Sequence, residues 1–355
     1  MKVLYIAFNN GTDVRISKEL LHLSRQFEVF FLGLGLVAES DYIPDSVKSF
    51  KIDHKHKSIV GILLLNIYII YLRLRFGIKN AYIVDEQCYF VTWVSLLGMN
   101  KIIDIFDSIF LKINMESEKL FIIKNIIYNS VDMLILTDEY RRKLLPAKFR
   151  GKAIIYPNYP SSSNIDLSLA QSSKAKSIGH GISMGLFGSI SKDRGAEIAK
   201  RLLDFDSSIK LIMGGWLYDD YAKSLSRMDR VRYVGVLPQK NILQLMSLEV
   251  NLLLAYYPNS NINNRYASPN KLYDSILTSV PILINSYPMV SEKVRNMNIG
   301  LVIDESETDE QIIEQFKLRY SQFICSYDKL DKFKFTDESV SPSYLSSIKA
   351  VFDKN

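Results

Sequence analysis

The sequence contains few of the residues on which disulfide-bonded and metal-binding proteins depend. Its 355 residues include only two cysteines, Cys88 and Cys325, and four histidines. Two distant cysteines cannot form a disulfide framework, and neither has the spacing of a metal ligand. We therefore expect a protein of a reducing, cytoplasmic compartment that holds no metal ion.

The sequence also lacks a long hydrophobic run. The apolar start at Met1–Phe8 is too short for a signal peptide and predicts a buried first strand. The longest apolar stretch, Ile59–Leu72, falls short of the roughly 20 residues that cross a bilayer. It predicts a buried helix. The alternative is a helix that lies in a membrane surface, with Arg73, Arg75 and Lys79 among the lipid headgroups.

The charge of the chain is only mildly one-sided, with 44 lysines and arginines against 38 acidic residues and a net charge of +6. Such an excess suits a nucleotide phosphate, an anionic membrane or nucleic acid, and it does not choose among them. A surface charge that only aids solubility is the alternative. A hydrophobic content of 48% is typical of a globular protein, and the length suffices for two domains.

Short apolar runs alternate with helix-like amphipathic segments along most of the chain. The first half begins with a strand at 3–8 and a helix at 13–26, and the second begins with a strand at 183–187 and a helix at 193–204. Between them, residues 157–180 are rich in serine and predict a linker. The alternation predicts parallel sheets with helices on both faces. The predicted fold class is α/β, with two Rossmann-like domains that face each other across a cleft.

The predicted domains cover residues 1–160 and 178–330. Ligands of open parallel sheets bind beyond the carboxyl ends of the strands, so the loops after the strands are the candidate sites. In the first domain, Gly11 lets the backbone approach a ligand closely. Carboxylates in these loops are candidate catalytic bases, although helix capping explains them equally well: Asp13, Asp85, Glu86 and Asp107.

Glycines follow several predicted strands of the second domain. Gly188 opens a loop that contains Arg194 and leads into a helix, an arrangement suited to a diphosphate. An exposed, solvated loop is the alternative. At two other strand ends, backbone atoms are predicted to face a nucleotide, and ordinary turns are the alternative. The candidate residues there are Gly214, Gly215, Val236 and Leu237.

The densest group of polar residues follows the predicted strand at 250–254. Pro269 is favourable at a helix start, and the helix then carries an amide, a cation and a carboxylate. Lys271 can neutralise a phosphate, and Asp274 can accept hydrogen bonds from ribose hydroxyls. An ordinary capped helix is the alternative. The candidate donor-binding residues of this segment are Arg265, Ser268, Asn270, Lys271 and Asp274.

The run Tyr266–Asp274, closed by Ser279–Ile284, resembles the SPNKLFEYLASGKPVI signature of family 4-like GT-B glycosyltransferases, bacterial enzymes that build surface polysaccharides. The likeness spans nearly all the chain. Further segments resemble motifs of that family in the same order: Asp13–Leu20, Asp104–Asp107, Val131–Thr137, Tyr156–Asn158 and Asn298–Val302.

The resemblance implies transfer of a sugar from a nucleotide diphosphate donor to a glycan or lipid-linked acceptor. It implies that the second domain binds the donor, with Lys271 and Arg194 at the diphosphate and Asp274 at the ribose, and that the first domain binds the acceptor. It also implies no nucleic acid and no metal, because cationic side chains stabilise the leaving diphosphate. Peripheral contact with the inner membrane surface is an alternative that rests on the apolar stretch Ile59–Leu72. A helix at 335–355 is expected to pack back on the first domain.

Two positions depart from the family pattern. Tyr266 stands where the family has the first of two glutamates, and Ser189 stands where it has an arginine, which leaves Arg194 in the usual lysine position. Arg265 is a candidate replacement for that cation. The missing carboxylate keeps open a non-catalytic partner subunit on the same scaffold. A sugar-nucleotide epimerase is a second alternative, disfavoured by the few histidines.

Overall fold

The computed structural model divides the chain into two compact units, unit 1 (Met1–Pro157 with Val340–Asn355) and unit 2 (Asn158–Ser339). Each is built on a parallel sheet with helices packed on it, which confirms the predicted α/β class of two Rossmann-like domains. The structure describes residues 1–36, 42–55, 58–112, 121–164, 178 and 181–353. Most of the linker predicted at 157–180 lies outside the described residues.

Unit 1 contains a seven-stranded sheet in the order β3-β2-β1-β4-β5-β6-β7. Its strands are β1 (Lys2–Ala7), β2 (Glu28–Gly35), β3 (Lys48–Asp53), β4 (Asn80–Val84), β5 (Asn100–Ile105), β6 (Met133–Leu136) and β7 (Ala153–Ile155). Its first six helices are α1 (Val14–Ser24), α2 (Ile59–Phe76), α3 (Glu86–Thr92), α4 (Ile109–Lys112), α5 (Phe121–Asn129) and α6 (Glu139–Arg142), and a 3-10 helix covers Ala147–Lys152.

The two faces of the unit 1 sheet carry separate helix layers. On one face, residues of α2, α3 and α5 pack with alternating strand residues such as Leu4, Ile6 and Ile83. On the other face, α1 packs with the intervening residues, among them Tyr5 and Tyr82. Because successive side chains of a strand point to opposite faces, the same strands supply both cores.

Unit 2 contains a six-stranded sheet in the order β10-β9-β8-β11-β12-β13. Its strands are β8 (Ser183–Ile190), β9 (Lys210–Leu217), β10 (Val231–Tyr233), β11 (Leu252–Ala255), β12 (Ile282–Asn285) and β13 (Gly300–Ile303). Its helices are α7 (Glu197–Phe205), α8 (Asp220–Leu225), α9 (Gln239–Glu249), α10 (Ile262–Arg265), α11 (Asn270–Thr278), α12 (Ser291–Met297) and α13 (Asp309–Asp328). Shorter helices cover Ser162–Asn164, Lys192–Ala196 and Lys332–Phe335.

The last helix, α14 (Asp337–Phe352), follows unit 2 in the chain, and from Val340 onward it belongs to unit 1. Tyr344 and Ile348 are buried in the core that α1 also covers. The Tyr344 hydroxyl donates to the Tyr82 hydroxyl over 2.9 Å. Residues that follow unit 2 thus complete the core of unit 1.

Two elements differ from the sequence prediction in a way that local chemistry explains. The helix predicted at 193–204 is preceded by an irregular turn, because Arg194 and Gly195 (φ 99°) have non-helical backbone angles, and the α-helix starts only at Glu197. Strand β3 was not predicted. It is the outer strand of its sheet, and only Ile52 is buried in it, so it lacks the apolar run that marks the central strands.

Helix α2 contradicts the prediction of a buried helix. It has 18 residues, and Leu74 near its end is 82% exposed. Only one stripe of the helix packs on the sheet, and its residues are about one helical turn apart. The rest of the helix surface is not covered by the sheet. The buried residues are Gly61, Leu65, Ile69 and Leu72.

Candidate functional site

The strand order predicts one ligand crevice in each unit. In unit 2, β8 and β11 are neighbours, while the strands that flank them are β9 on one side and β12 on the other. The chain therefore leaves β8 and β11 in opposite directions, and such a switch point opens a crevice at the carboxyl ends of the strands. The segments that follow these strands carry Arg194 and Lys271.

Two glycines let the backbones of β8 and β9 come close at this end of the sheet. Gly188 (φ 97°) and Gly215 (φ 129°) are paired across the two strands. A Cβ atom at Gly215 would lie 2.0 Å from the carbonyl oxygen of Gly188, so no other residue fits there. A Cβ atom at Gly188 would meet no described atom within 4 Å, so the loop presents bare backbone at that point.

Arg194 lies in the irregular turn at Lys192–Ala196, which follows β8. Its backbone is non-helical, and Gly195 then turns the chain into α7. Asp219 fixes the start of this turn by accepting a hydrogen bond from the backbone N–H of Lys192 over 2.7 Å. The Arg194 side chain is exposed, and its charge is near enough to Lys271 to lower the pKa of that amine.

Lys271 lies in the first turn of α11, after Pro269 at the N-cap. Its ammonium is 5.8 Å from the ring centroid of the buried Tyr257. Burial, followed by the charge of Arg194, lowers the pKa of Lys271 to about 8. Among the described residues, neither cation has a carboxylate oxygen within 4.0 Å. Two neighbouring cations that lack a carboxylate partner are suited to binding a group with several negative charges, such as a diphosphate.

Asp274 lies one turn after Lys271 and is 8% exposed. Its Oδ1 accepts a hydrogen bond from Nε2 of Gln239, the first residue of α9, over 3.0 Å. Burial raises the pKa of Asp274 to about 7, against the opposing effects of Gln239 and Lys271. Sequence reasoning missed Gln239. The available signal was its position after Pro238, where a helix starts beyond a strand.

Two predicted residues next to α11 contribute backbone contacts. The buried Ser268 accepts, at its carbonyl oxygen, a hydrogen bond from Nδ2 of Asn158 over 3.1 Å. The carbonyl oxygen of Arg265 accepts one from the backbone N–H of Met289 over 2.8 Å. These contacts hold the chain that leads into the helix, and the donor-binding roles of both residues stay predictions.

The remaining predicted residues of unit 2 lie on the surface or inside the sheet. Asn270 and Val236 are exposed, and Leu237 is half-buried. Gly214 is buried in β9, where a Cβ atom would lie 3.0 Å from a methyl group of Val234. Close packing therefore explains Gly214 without a ligand.

In unit 1, the switch point lies between β1 and β4. Gly11 follows β1 with a φ of 96°, and its N–H donates to Oδ1 of Asn9 over 2.7 Å. Asp13 caps α1, because its Oδ1 accepts hydrogen bonds from the backbone N–H groups of Arg15 and Ile16 over 2.8 and 3.3 Å. The capping role is thus present, and a catalytic role for Asp13 stays a prediction.

Asp85 and Asp107 follow the neighbouring strands β4 and β5. Asp85 has a φ of 64° and a ψ of 150°, a conformation that is strained for any residue with a side chain. Its Oδ1 accepts hydrogen bonds from the N–H groups of Phe106 and Asp107 over 2.7 and 3.0 Å, and burial raises its pKa to about 7. The Asp107 side chain is 51% exposed, with Lys112 at 3.4 Å. Asp107 is therefore accessible to an acceptor.

Glu86 is 1% exposed, and protein donors surround its carboxylate. The hydroxyl of Tyr128 donates over 2.5 Å, the hydroxyl of Ser108 over 3.1 Å and the N–H of Ile109 over 3.0 Å. Burial raises the pKa of Glu86 although these donors oppose the shift. The contacts account for Glu86 as a structural residue, which leaves Asp107 as the more accessible candidate base.

The first-helix motif of unit 1 forms a buried group of charges. The guanidinium of Arg15 donates to both oxygens of Asp104 over 3.1 and 3.0 Å, and its Nε is 2.8 Å from Glu19. The hydroxyl of Tyr82 donates to Asp104 and that of Tyr5 to Glu19, each over 2.6 Å. Burial and the charge of Asp104 raise the pKa of Glu19. These motif residues therefore stabilise unit 1.

Carboxylates elsewhere do not form a metal site in the described part of the chain. The sequence has an Asp-x-Asp triplet at Asp204 and Asp206, which pair with Lys200 over 2.5 Å and with Lys317 over 2.8 Å. Within the described ranges, no three histidine, cysteine, aspartate or glutamate side chains converge. The charged candidates beside the unit 2 switch point therefore include Arg194, Lys271 and Asp274.

Comparison with known proteins identifies the fold. The chain is similar to HepE of Anabaena, solved with UDP and glucose (TM-score 0.71, 13% identity, 99% of this chain and 100% of that one). It is similar to sucrose-phosphate synthase of Thermosynechococcus elongatus (TM-score 0.75, 11% identity, 100% of both chains). It is also similar to WaaG, a glycosyltransferase involved in lipopolysaccharide biosynthesis (TM-score 0.63, 12% identity, 97% and 99%). No family model and no curated protein sequence matches the chain. The fold is that of the GT-B glycosyltransferases.

Proposed function

We propose that this protein is a glycosyltransferase that moves a sugar from a nucleotide diphosphate donor to a glycan or lipid-linked acceptor. The whole-chain likeness to glycosyltransferase structures supports the proposal, and so does the solved complex of HepE with UDP and glucose. The likeness to WaaG further supports a role in bacterial surface polysaccharide synthesis. We place the reaction in the cytoplasm, without a metal ion or nucleic acid.

The observation that carries the proposal is the pair of cations in the unit 2 crevice. Arg194 follows β8 and Lys271 lies in the helix after the neighbouring strand β11, so both come from the switch point of the sheet. The charge of Arg194 also contributes to the lowered pKa of Lys271. Keeping two positive charges near each other costs free energy in the unliganded protein, and a diphosphate would offset that cost. Asp274, one turn after Lys271, and its partner Gln239 from α9 are suited to the hydroxyls of a ribose.

The same cations account for the chemistry of the donor. As the bond between sugar and diphosphate breaks, negative charge grows on the leaving oxygen. A positive group aimed at that charge lowers the barrier by about 3 kcal/mol, a typical value for one such contact. Asp107 in unit 1 is the proposed base for the acceptor hydroxyl.

Ligand-induced thermal stabilisation by UDP-, GDP-, CMP- and dTDP-sugars tests donor binding, because a ligand of the folded state raises its stability. We expect one nucleotide class to raise the melting temperature and to release free nucleotide slowly in the absence of acceptor. Lys271→Met should abolish both effects.

Lys210→Met is the matched control, since Lys210 is an exposed lysine of the same unit at the amino end of β9. This variant should keep both effects. Stabilisation by no donor, or equal stabilisation of the protein and the Lys271→Met variant, would refute the proposal. Binding without nucleotide release by any preparation would identify the non-catalytic partner subunit instead.

A further inference from the structure

One helix layer of unit 1 exposes most of the large apolar side chains on the described surface. The described part of the chain has 28 exposed large apolar side chains. Eight of them lie on α2, four lie between the start of α3 and Leu97, and three lie on α5. We call these fifteen residues the apolar face: Ile59, Val60, Leu63, Ile67, Tyr68, Ile70, Tyr71, Leu74, Phe90, Trp93, Val94, Leu97, Ile122, Ile123 and Ile126. Patches of this extent mark sites of interaction with a membrane or another protein.

The largest part of the apolar face is continuous because α2 packs beside α3 and the segment that follows it. Nδ2 of Asn66 donates to the carbonyl oxygen of Val91 over 3.0 Å, which joins α2 to α3. The guanidinium of Arg73 donates to the carbonyl oxygens of Ser95 and Leu97, the latter over 2.9 Å. All three helices also contribute to one core on the same face of the sheet. The exposed residues therefore lie on the outer side of a single layer.

The topology fixes how α2 can meet a membrane. It is the one described helix that is long and apolar enough to cross a bilayer. It connects the parallel strands β3 and β4, and its buried stripe packs on the sheet. A crossing orientation would remove that stripe from the core, so α2 can only lie along a membrane surface. Because α2 is apolar on most of its surface and only one stripe is buried, its exposed side chains are expected to be covered by a membrane or by another protein.

Among the described residues, the exposed charged side chains on the helices of the apolar face are basic. Arg75 and Lys79 are exposed at the end of α2, and Lys124 lies on α5. In the described residues 58–79, 86–99 and 121–130, the single acidic residue is the buried Glu86. Basic residues next to apolar and aromatic ones are suited to anionic headgroups above an acyl layer.

We propose that the apolar face docks unit 1 on an anionic membrane, with α2 lying in the plane of the interface and Arg75 and Lys79 at the headgroups. Trp93, Tyr68 and Tyr71 have the amphipathic rings that favour this depth. The docking does not depend on the transfer reaction. It also selects the lipid-linked acceptor over the soluble glycan, and that choice alone rests on the proposed function.

Cosedimentation of the full chain with vesicles tests the docking. We expect binding to vesicles of 70% phosphatidylcholine and 30% phosphatidylglycerol, and weaker binding to phosphatidylcholine alone. The triple variant Leu63→Glu, Ile67→Glu, Leu74→Glu should lower the bound fraction at least tenfold. Replacing Arg75 and Lys79 with glutamine should weaken binding to the anionic vesicles roughly fivefold per cation removed.

Leu318→Glu is the matched control, because Leu318 is 79% exposed on α13 of unit 2. It should bind vesicles like the unchanged protein. Circular dichroism confirms that each variant is folded. Equal binding of the triple variant, or a dimer in solution that the triple variant separates while vesicles stay unbound, would overturn the proposal. Donor binding in solution is measured without vesicles, so a failed docking leaves the proposed function standing.

Discussion

The two charged groups at the helix starts of the two units differ in how their charges are balanced. In unit 1, the cation of Arg15 contacts the carboxylates of Asp104 and Glu19, and tyrosine hydroxyls donate to both. In unit 2, Arg194 and Lys271 are neighbours, and among the described residues neither has a carboxylate at ion-pair distance. The first group is complete within the protein. The second carries excess positive charge.

This difference separates structural from functional charge. A buried cation that lies at ion-pair distance from carboxylates resists change, because removing one partner leaves an uncompensated charge. Two cations that repel each other instead lower the stability of the protein until an anion binds. Both groups lie in motifs that resemble the same family, so resemblance alone would have given them similar weight.

The largest expected effect comes from breaking the complete group. Arg15→Met leaves Asp104 and Glu19 buried without their cation, which should lower the free energy of unfolding of unit 1 by about 3–5 kcal/mol. Donor binding by unit 2 should not change. Chemical denaturation measures the effect. Arg25→Met, at an exposed position just after α1, should cost less than about 0.5 kcal/mol, and equal losses in the two variants would contradict the comparison.

The opposite pattern is expected for the group with excess charge. Lys271→Met removes a charge-assisted contact to the diphosphate, worth about 2–3 kcal/mol, so the donor should bind roughly 30- to 150-fold more weakly. The free energy of unfolding should stay the same or rise, because repulsion from Arg194 disappears. Titration calorimetry and denaturation measure the two quantities. A loss of stability with unchanged affinity would assign Lys271 to the core instead.

A smaller effect is expected from pH. Lys271 has a pKa of about 8, so above pH 8 it loses its proton and donor affinity should fall, approaching tenfold per unit. Asp274 has a pKa of about 7, so below pH 7 it becomes protonated and accepts hydroxyl hydrogen bonds less well. Affinity should therefore be highest between about pH 7 and 8. Lys271→Arg should keep its charge and remove the alkaline decline. A decline that persists in that variant belongs to another group.

The smallest expected effect tests whether the hydroxyl of Tyr344 belongs to the buried hydrogen-bond network around Arg15. Tyr344→Phe removes the hydrogen bond from Tyr344 to Tyr82 and keeps the aromatic packing, which should lower the free energy of unfolding by about 1 kcal/mol. Tyr42→Phe is the control, because Tyr42 is 44% exposed and should give no measurable change. Similar values for both variants would place the Tyr344 hydroxyl outside the network.

The sequence predicted those features that depend on local order along the chain. Strand and helix alternation predicted the fold class, and Pro269 marked the start of the helix that carries Lys271 and Asp274. A helix start after a strand, together with the rule for switch points, predicts that these side chains lie near a ligand crevice, and their role there stays a prediction.

Features that depend on distant segments could not be predicted. Glu86 is occupied by Tyr128, which is 42 residues away, so its role as a buried anchor has no local signal. Gln239 reaches Asp274 from another helix, 35 residues away. The apolar composition of α2 predicted a buried helix. The sequence does not show that only one stripe of the helix packs on the sheet.

The return of α14 to unit 1 has a consequence for how the chain is made. Tyr344 is translated 262 residues after its partner Tyr82, with all of unit 2 in between. At ribosomal rates of roughly 5–20 residues per second, the strands of unit 1 would wait about 13–50 s for their last helix. During that interval the tyrosine side of the sheet, including Tyr82, lacks its final cover. All of unit 2 is therefore synthesised before unit 1 can complete its core with α14.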